Sequence, residues 1–470
     1  MEQLHLIAAY SVACIVFPFL GGKLTKKRME ACTVNLLRAF CLLYSFLFFF
    51  VPILQMSTQT FKYDPHYSDV TILLGLLCFL LFGFSVIFGF RVLNKENKYS
   101  VGNSFAISAW RLLDRKGFIL GVIIMVVPGL VSAYILYRII LEVGFGEYMG
   151  NRIIVLSGLG LLFAPIGWIG LFGSILSADL MHTKFYKGKV PWKKAGVCFL
   201  FLALASLCGV LKGSRTQMLL PWSLLFACYM FFSFSREGFK YRLRHYAAIV
   251  LIIPAVFAAA NVLGYLRTSA MSHSNASLDE IDESGTGDVD SFVVGLSKFG
   301  IAENVFWLLE NSRVWDYQYG ATFVSVVFGL VPRSIWPDKP LGGGPTLKNM
   351  ISPGSYNLES GRNISSTTTG LPAETFMNFG VLGLPLVGLG YGFVLCRISK
   401  LFMRIRCTTH FVAFVYLSFY SLQFLWGEFF GAAAWTFISM LPFAILILAL
   451  PEKKISPEML PVQGMYRYRG

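Results

Sequence analysis

An all-α polytopic membrane protein is predicted, with about 11 transmembrane helices and one large extracytoplasmic loop. Three observations carry that expectation. The 470-residue chain is 56% hydrophobic and 14% charged, with a mean hydropathy of +0.63, whereas a soluble domain carries roughly 25% charged residues. Apolar runs of bilayer-crossing length, ~17–25 residues, recur along it. Lysine and arginine crowd into alternate gaps between those runs, as the positive-inside rule requires.

Eleven runs qualify: Leu4–Leu20, Asn35–Met56, Val70–Phe90, Gly117–Leu141, Ile153–Ser177, Gly196–Leu211, Gln217–Phe234, Ala247–Tyr265, Gly380–Ile398, Phe411–Glu428 and Gly431–Leu450. The first does not read as a cleaved signal peptide, because its leading Met-Glu-Gln-Leu-His lacks the basic flank and the basic cluster follows it. Segments 21–34, 91–117, 178–196, 235–246, 397–410 and 451–470 hold 27 of the 40 Lys and Arg. The alternate short loops 57–69, 142–152 and 212–216 hold 4. The amino terminus and segment 266–379 are therefore expected outside, and the carboxyl terminus in the cytoplasm. Residues 1–265 would carry spans one to eight, 266–379 the outward loop and active-site region, 380–450 spans nine to eleven, and 451–470 a cytoplasmic tail. The net charge of +15 is thus explained by topology and contact with anionic membrane lipid, not by nucleic-acid binding.

Several functions are disfavoured. The longest cytoplasmic loop, Arg91–Gly117, is too short for a soluble domain, and there is no Walker A loop or GxGxxG after a strand. The nine cysteines, Cys14, Cys32, Cys41, Cys78, Cys198, Cys208, Cys228, Cys396 and Cys407, lie in or beside apolar spans without paired spacing, and read as small hydrophobes. The six histidines show no metal-like spacing, and no cofactor is implied.

The outward segment holds the polar chemistry, with 7 Lys and Arg and 12 Asp and Glu. Ser269–Asp290 is polar and reads as a solvated acidic loop. Phe292–Asn311 is amphipathic and reads as one or two helices against the membrane, with Glu303 and Glu310 as ordinary amphipathic-helix acids. Phe323–Val331 is apolar but too short to span, so it reads as re-entrant or in-plane. Gly329–Pro340 follows, with three prolines, Arg333, Trp336, Asp338 and Lys339; such backbone survives at membrane depth only where it lines a site. Gly342–Pro345 and Ser355–Gly370 read as loop, and Leu371–Phe379 leads into span nine.

Positive charge in a small external loop runs against the topology rule and so calls for a ligand. Arg215, in the five-residue turn Lys-Gly-Ser-Arg-Thr, stands out on that ground, and Arg333 stands beside it because it is held between Pro332 and Trp336 in the proline-rich stretch. Guanidinium pairs phosphate oxygens bidentately. Arg267, Arg362 and Lys339 are further substrate-binding candidates by position, with headgroup anchoring as the alternative. Trp336 reads either as an interfacial ring or as a platform for a sugar. Glu374, in Leu-Pro-Ala-Glu-Thr-Phe-Met-Asn-Phe-Gly just before span nine, is expensive there unless it faces a cavity. It is the candidate catalytic carboxylate, with a helix-entry residue favoured by the dipole as the alternative. Glu428, at the outer turn before span eleven, is a weaker one.

The order of many spans, Lys-Gly-Ser-Arg-Thr-Gln, then Val-Pro-Arg-Ser-Ile-Trp-Pro-Asp-Lys-Pro, then Glu-Thr-Phe-Met-Asn-Phe-Gly resembles the bacterial O-antigen and oligosaccharide repeat-unit polymerases of Wzy type. Residues 212–217, 329–340 and 372–380 carry the likeness. It implies a multi-span lipid-donor glycosyltransferase, GT-C in type, in the inner membrane with its active site facing the periplasm. The substrate would be an undecaprenyl-diphosphate-linked oligosaccharide, and a chain-length regulator protein a partner. Matched patch by patch, it implicates Arg215, Arg333 and Glu374 in catalysis; since no clustered carboxylate site is evident in the residues, the arginines are expected to stand in place of a metal. A related glycan ligase shares these features, and a flippase of lipid-linked glycans is a non-enzymatic alternative. The flippase would place polar groups at mid-depth in several helices, whereas Arg38 and Arg138 lie near span ends, where snorkelling accounts for them.

Overall fold

A computed structural model describes residues 4–26, 36–64, 66–95, 107, 110–145, 147–148, 162–188, 190–237, 300–329, 331, 336, 339–357, 363–364 and 366–450. The described chain is a helical bundle. Helix α1 spans Leu4–Lys26, α2 Leu36–Thr58, α3 Asp69–Lys95 and α4 Arg115–Val143. Then come α5 (Ile166–Lys187), α6 (Trp192–Leu211) and α7 (Arg215–Glu237). Short helices α8 (Glu303–Glu310), α9 (Ala321–Phe328) and α10 (Gly343–Ile351) follow. The last three are α11 (Leu371–Leu401), α12 (Thr408–Gln423) and α13 (Phe429–Ala449). A two-residue hairpin, Tyr356–Asn357 with Asn363–Ile364, follows α10. Of the described helices, α2, α3, α4, α6, α11 and α13 are long and apolar enough to cross a membrane, while α1 and α7 hold shorter apolar stretches, Leu4–Leu20 and Gln217–Ser233.

Helices α2 and α4 each contain a π turn, Phe46–Phe50 and Val122–Val126, just before a proline, Pro52 or Pro128. A proline ring clashes with the carbonyl four residues back. Here those carbonyls belong to Phe48 and Ile124, inside the widened turns, so the π register accommodates the ring without ending the helix.

Among the described helices, the most extensive contact pairs α3 with α11. A side chain at Gly392 would strike the Val86 carbonyl, one at Gly89 the Leu389 backbone, and one at Gly388 would come within 2.9 Å of the Phe82 carbonyl. Small residues four apart let helix backbones meet inside lipid, where the hydrophobic effect no longer distinguishes helix from acyl chain. Buried rings of Phe17, Phe40, Tyr44, Phe48 and Phe79 fill the space between α1, α2 and α3.

The structure corrects three expectations. The fifth span was placed at Ile153–Ser177, but the helix begins at Ile166 and continues to Lys187. Asp179 rides in that extension, taking hydrogen bonds from the Leu113 N–H (3.0 Å) and the Thr408 hydroxyl. These partners offset the cost of burying a carboxylate there. Gly342–Pro345, read as loop, opens α10, because proline is tolerated in the first turn, where its missing N–H costs nothing. Glu303, read as an ordinary acid of an amphipathic helix, is fully buried. It accepts from the Lys62 and Tyr63 N–H groups (2.8 and 2.6 Å), the Tyr67 hydroxyl (3.2 Å) and Gln55 Nε2 (3.2 Å). Ala247–Tyr265 lies outside the described residues.

Candidate functional site

Helix α11 is two helices in one. At Gly380 the backbone turns to φ 62°, ψ −156°, a region open essentially to glycine alone. The break frees the last carbonyls of the leading segment. Those of Met377 and Asn378 accept the N–H groups of Gln318 and Tyr319. Asn378 reinforces the junction, its Oδ1 taking the Gly320 N–H (2.9 Å) and its Nδ2 donating to Thr322 Oγ1 (2.7 Å) and the Glu374 carbonyl (2.7 Å). The leading segment is thereby fixed against the start of α9, and Glu374 with it.

Glu374 has no exposed surface. Its Oε2 accepts the Phe429 N–H at 2.8 Å and the Thr369 hydroxyl at 3.0 Å. Phe429 is the first residue of α13, so the carboxylate caps that helix and sits in the positive end of its dipole. The Thr369 loop is held in turn by Asn304 of α8, whose Nδ2 donates to the carbonyls of Thr368 (2.7 Å) and Thr369 (2.9 Å). Oε1 of Glu374 has no completed hydrogen bond, although the Thr322 hydroxyl lies nearby.

A second acid completes the arrangement. Glu428 precedes α13, and its Oε2 accepts the Gly344 N–H at 2.8 Å in the first turn of α10. Burial pushes its carboxyl above the ordinary glutamate value, against the pull of that hydrogen bond. The glycines leave room for these acids and, at Gly344, for the Thr367 carbonyl and the Ser366 hydroxyl as well. A Cβ at Gly344 would meet Glu428 Oε2 at 2.6 Å, and one at Gly343 would meet Glu374 Oε1 at 2.6 Å. Two carboxylates are thus wedged between the amino-terminal ends of two helices, one oxygen of Glu374 being unmatched.

The other predicted residues are distributed as follows. Arg215 opens α7, its side chain outside the description. Arg267, Arg333 and Arg362 lie outside the described residues. Lys339 Nζ donates to the carbonyls of Val331 (2.8 Å) and Gly329 (3.3 Å) just past the end of α9, where a cation complements the helix dipole. Trp336 packs edge-on against Phe328, ring centroids 4.9 Å apart, and is partly exposed. Lys339 and Trp336 therefore meet at one end of α9 while Glu374 adjoins its other end, about 10 Å of helix away. Glu428 and the glycine run are what the sequence undervalued; the signal available was Gly-Gly-Gly-Pro, a helix-start pattern once Pro345 is placed in a first turn.

Among the described residues no group of three or more His, Cys, Asp and Glu could hold a metal ion.

A bundle of apolar helices with a buried acid at one end defines a multi-pass membrane protein with a polar site built beside its longest helix. The chain belongs to the family of O-antigen polysaccharide polymerase Wzy, whose match covers residues 4–455. The family is one of glycosyltransferase-type polymerases acting on lipid-linked oligosaccharide repeat units in the membrane. No curated protein and no solved structure matches the chain.

Proposed function

We propose that the chain polymerises undecaprenyl-diphosphate-linked oligosaccharide repeat units on the outer face of the bacterial cytoplasmic membrane, through about 11 spans. The acceptor is a new lipid-linked repeat and the donor is the growing glycan on its own lipid. A hydroxyl at the non-reducing end of the acceptor attacks the anomeric carbon of the donor's reducing-end sugar. The bond from that carbon to the diphosphate oxygen breaks, and undecaprenyl diphosphate leaves with the electron pair.

The observation that carries this reading is Glu374, a buried carboxylate with one unmatched oxygen, fixed by two donors on the other. Such a group is a positioned general base for the acceptor proton. Gly343 covers the carboxylate, so the acceptor reaches Oε1 when α10 shifts, in the manner of a lid. Arg215 and Arg333 stabilise charge building on the departing diphosphate, taking the part a metal plays elsewhere. Arg267, Arg362, Lys339 and Trp336 hold the glycan and its diphosphate, and positioning of this kind contributes much of the rate. A chain-length regulator protein sets how often the cycle repeats. The polarity of the loops, with lysine and arginine in alternate gaps, supports an outward site.

The test is electrophoresis of surface glycan from a deletion strain complemented with variants. Arg215→Ala and Arg333→Ala should each replace the ladder by single-repeat glycan while the protein remains in the membrane. A normal ladder in both would end the proposed arginine roles. A deletion that removes all glycan, single repeats included, would point to a ligase or a flippase.

A further inference from the structure

A second polar feature lies apart from the two acids. Helices α5, α7, α12 and α13 line a half-open cleft of about 130 Å³. Gln217, in the first turn of α7, and Gln423, the last residue of α12, both line it. The side-chain carbonyl oxygen of each is buried and accepts no hydrogen bond. Around them the polar groups are already matched: Ser439 Oγ donates to the Tyr420 hydroxyl (3.0 Å), and Trp168 Nε1 donates to the Ile438 carbonyl (3.1 Å). Two orphaned acceptors in one cleft are therefore its distinguishing chemistry, and buried polar atoms without partners are uncommon.

The walls add a second preference. The rings of Trp168 and Trp435 both line the cleft, and Lys212 Nζ lies 4.9 Å over the Trp435 ring. Flat aromatic surface beside unmatched acceptors suits a molecule with an apolar C–H face and a rim of hydroxyls. A sugar hydroxyl both donates and accepts, so it matches each amide whichever way the amide is turned. An isoprenoid or acyl chain would leave both amides unmet.

Position links the cleft to the acids. Gly427 N donates to the Gln423 carbonyl, and the Gly427 carbonyl accepts from Gly370 N. Gly370 O accepts from Glu374 N. One turn, between α12 and α13, thus separates Gln423 from Glu374. The cleft also begins at Ser214, next to Arg215.

We propose that this cleft is a saccharide-binding subsite, in which Gln217 and Gln423 accept hydrogen bonds from hydroxyls of the repeat-unit glycan while Trp168 and Trp435 contact its C–H faces. It rests on the polymerase reading for the source of the glycan.

The experiment uses the full chain in nanodiscs. The probe is the host strain's own repeat-unit oligosaccharide, released from its lipid by mild acid, and the readout is tryptophan fluorescence. Wild type should give a saturable change, and the Gln217→Leu/Gln423→Leu double variant should need at least about tenfold more oligosaccharide for half-saturation. In cells the same variant should shift the ladder to short chains. Leucine removes the orphaned oxygens at similar volume, so folding is expected to persist; if the double variant fails to reach the membrane, Gln423→Leu alone is read against the same criterion. No saturable change in wild type, or an unchanged titration in the variant, overturns the subsite. A deletion strain that lacks all surface glycan, single repeats included, with oligosaccharide binding retained by the purified protein would instead sink the polymerase reading and leave the subsite standing.

Discussion

Glu374 Oε2 accepts the Phe429 N–H at 2.8 Å, so one side chain of α11 caps the first turn of α13. The same carboxyl group therefore has two separable duties, a structural one through Oε2 and a proposed chemical one through Oε1.

Those duties separate by substitution. Glu374→Gln keeps an oxygen that can accept from Phe429 and Thr369, and loses the basic carboxylate. It should accumulate at wild-type levels and give no ladder. Glu374→Ala leaves the Phe429 N–H unmatched and should cost about 1–3 kcal/mol of stability as well. Immunoblot of membranes beside glycan electrophoresis reads both, and a full ladder from Glu374→Gln would remove the base role.

Glu303 is the contrasting acid, with four donors on its two oxygens. Every lone pair that matters is in use, which marks a clamp for residues 62–67. Glu303→Ala strips the partners from two backbone N–H groups and should destabilise the protein by about 3 kcal/mol. The check is a lower melting temperature in detergent, with residual activity per folded molecule close to wild type.

The α3–α11 contact sets a steric limit. Gly392→Val would press a branched side chain into the Val86 backbone, and overpacking of this sort costs typically 1–3 kcal/mol. Membrane accumulation should fall, whereas Gly390→Val, with open space at its Cβ, should accumulate normally. Equal levels of the two would contradict the packing.

A pH dependence follows from Glu428 and Glu303, whose carboxyls burial raises above the ordinary value. A raised acid binds its proton more tightly in the folded state. Its contribution is full below the ordinary glutamate value and is lost as pH rises through the raised one. Melting temperature should therefore decline from about pH 4.5 toward neutrality. Glu428→Gln, which keeps an acceptor for Gly344, should flatten that decline, and an identical slope in the variant would refute the assignment.

Arginine in place of metal is testable directly. Purified protein given lipid-linked repeat and an excess of chelator should polymerise at an undiminished rate. A requirement for added divalent cation would refute it.

The helical membrane class and the place of helices such as α3 were legible in the sequence because each is a local property. A run such as Val70–Phe90 is long and apolar enough to cross a membrane whatever its neighbours are, and an acid just before such a run is costly anywhere. The register of the fifth helix was not legible, since Asp179 is acceptable only because Leu113 and Thr408, distant in the chain, supply its hydrogen bonds.

Partnership between remote residues is what tertiary structure decided. Position alone set Glu374 apart from Glu303, and nothing in the order of residues shows that Glu303 has four donors while Glu374 Oε1 completes no hydrogen bond. Nor does it place Gly343 against Glu374 or Gly344 against Glu428. Hydrophobicity is additive along a chain and can be read from it, whereas satisfaction of a buried polar atom depends on which other segment arrives beside it.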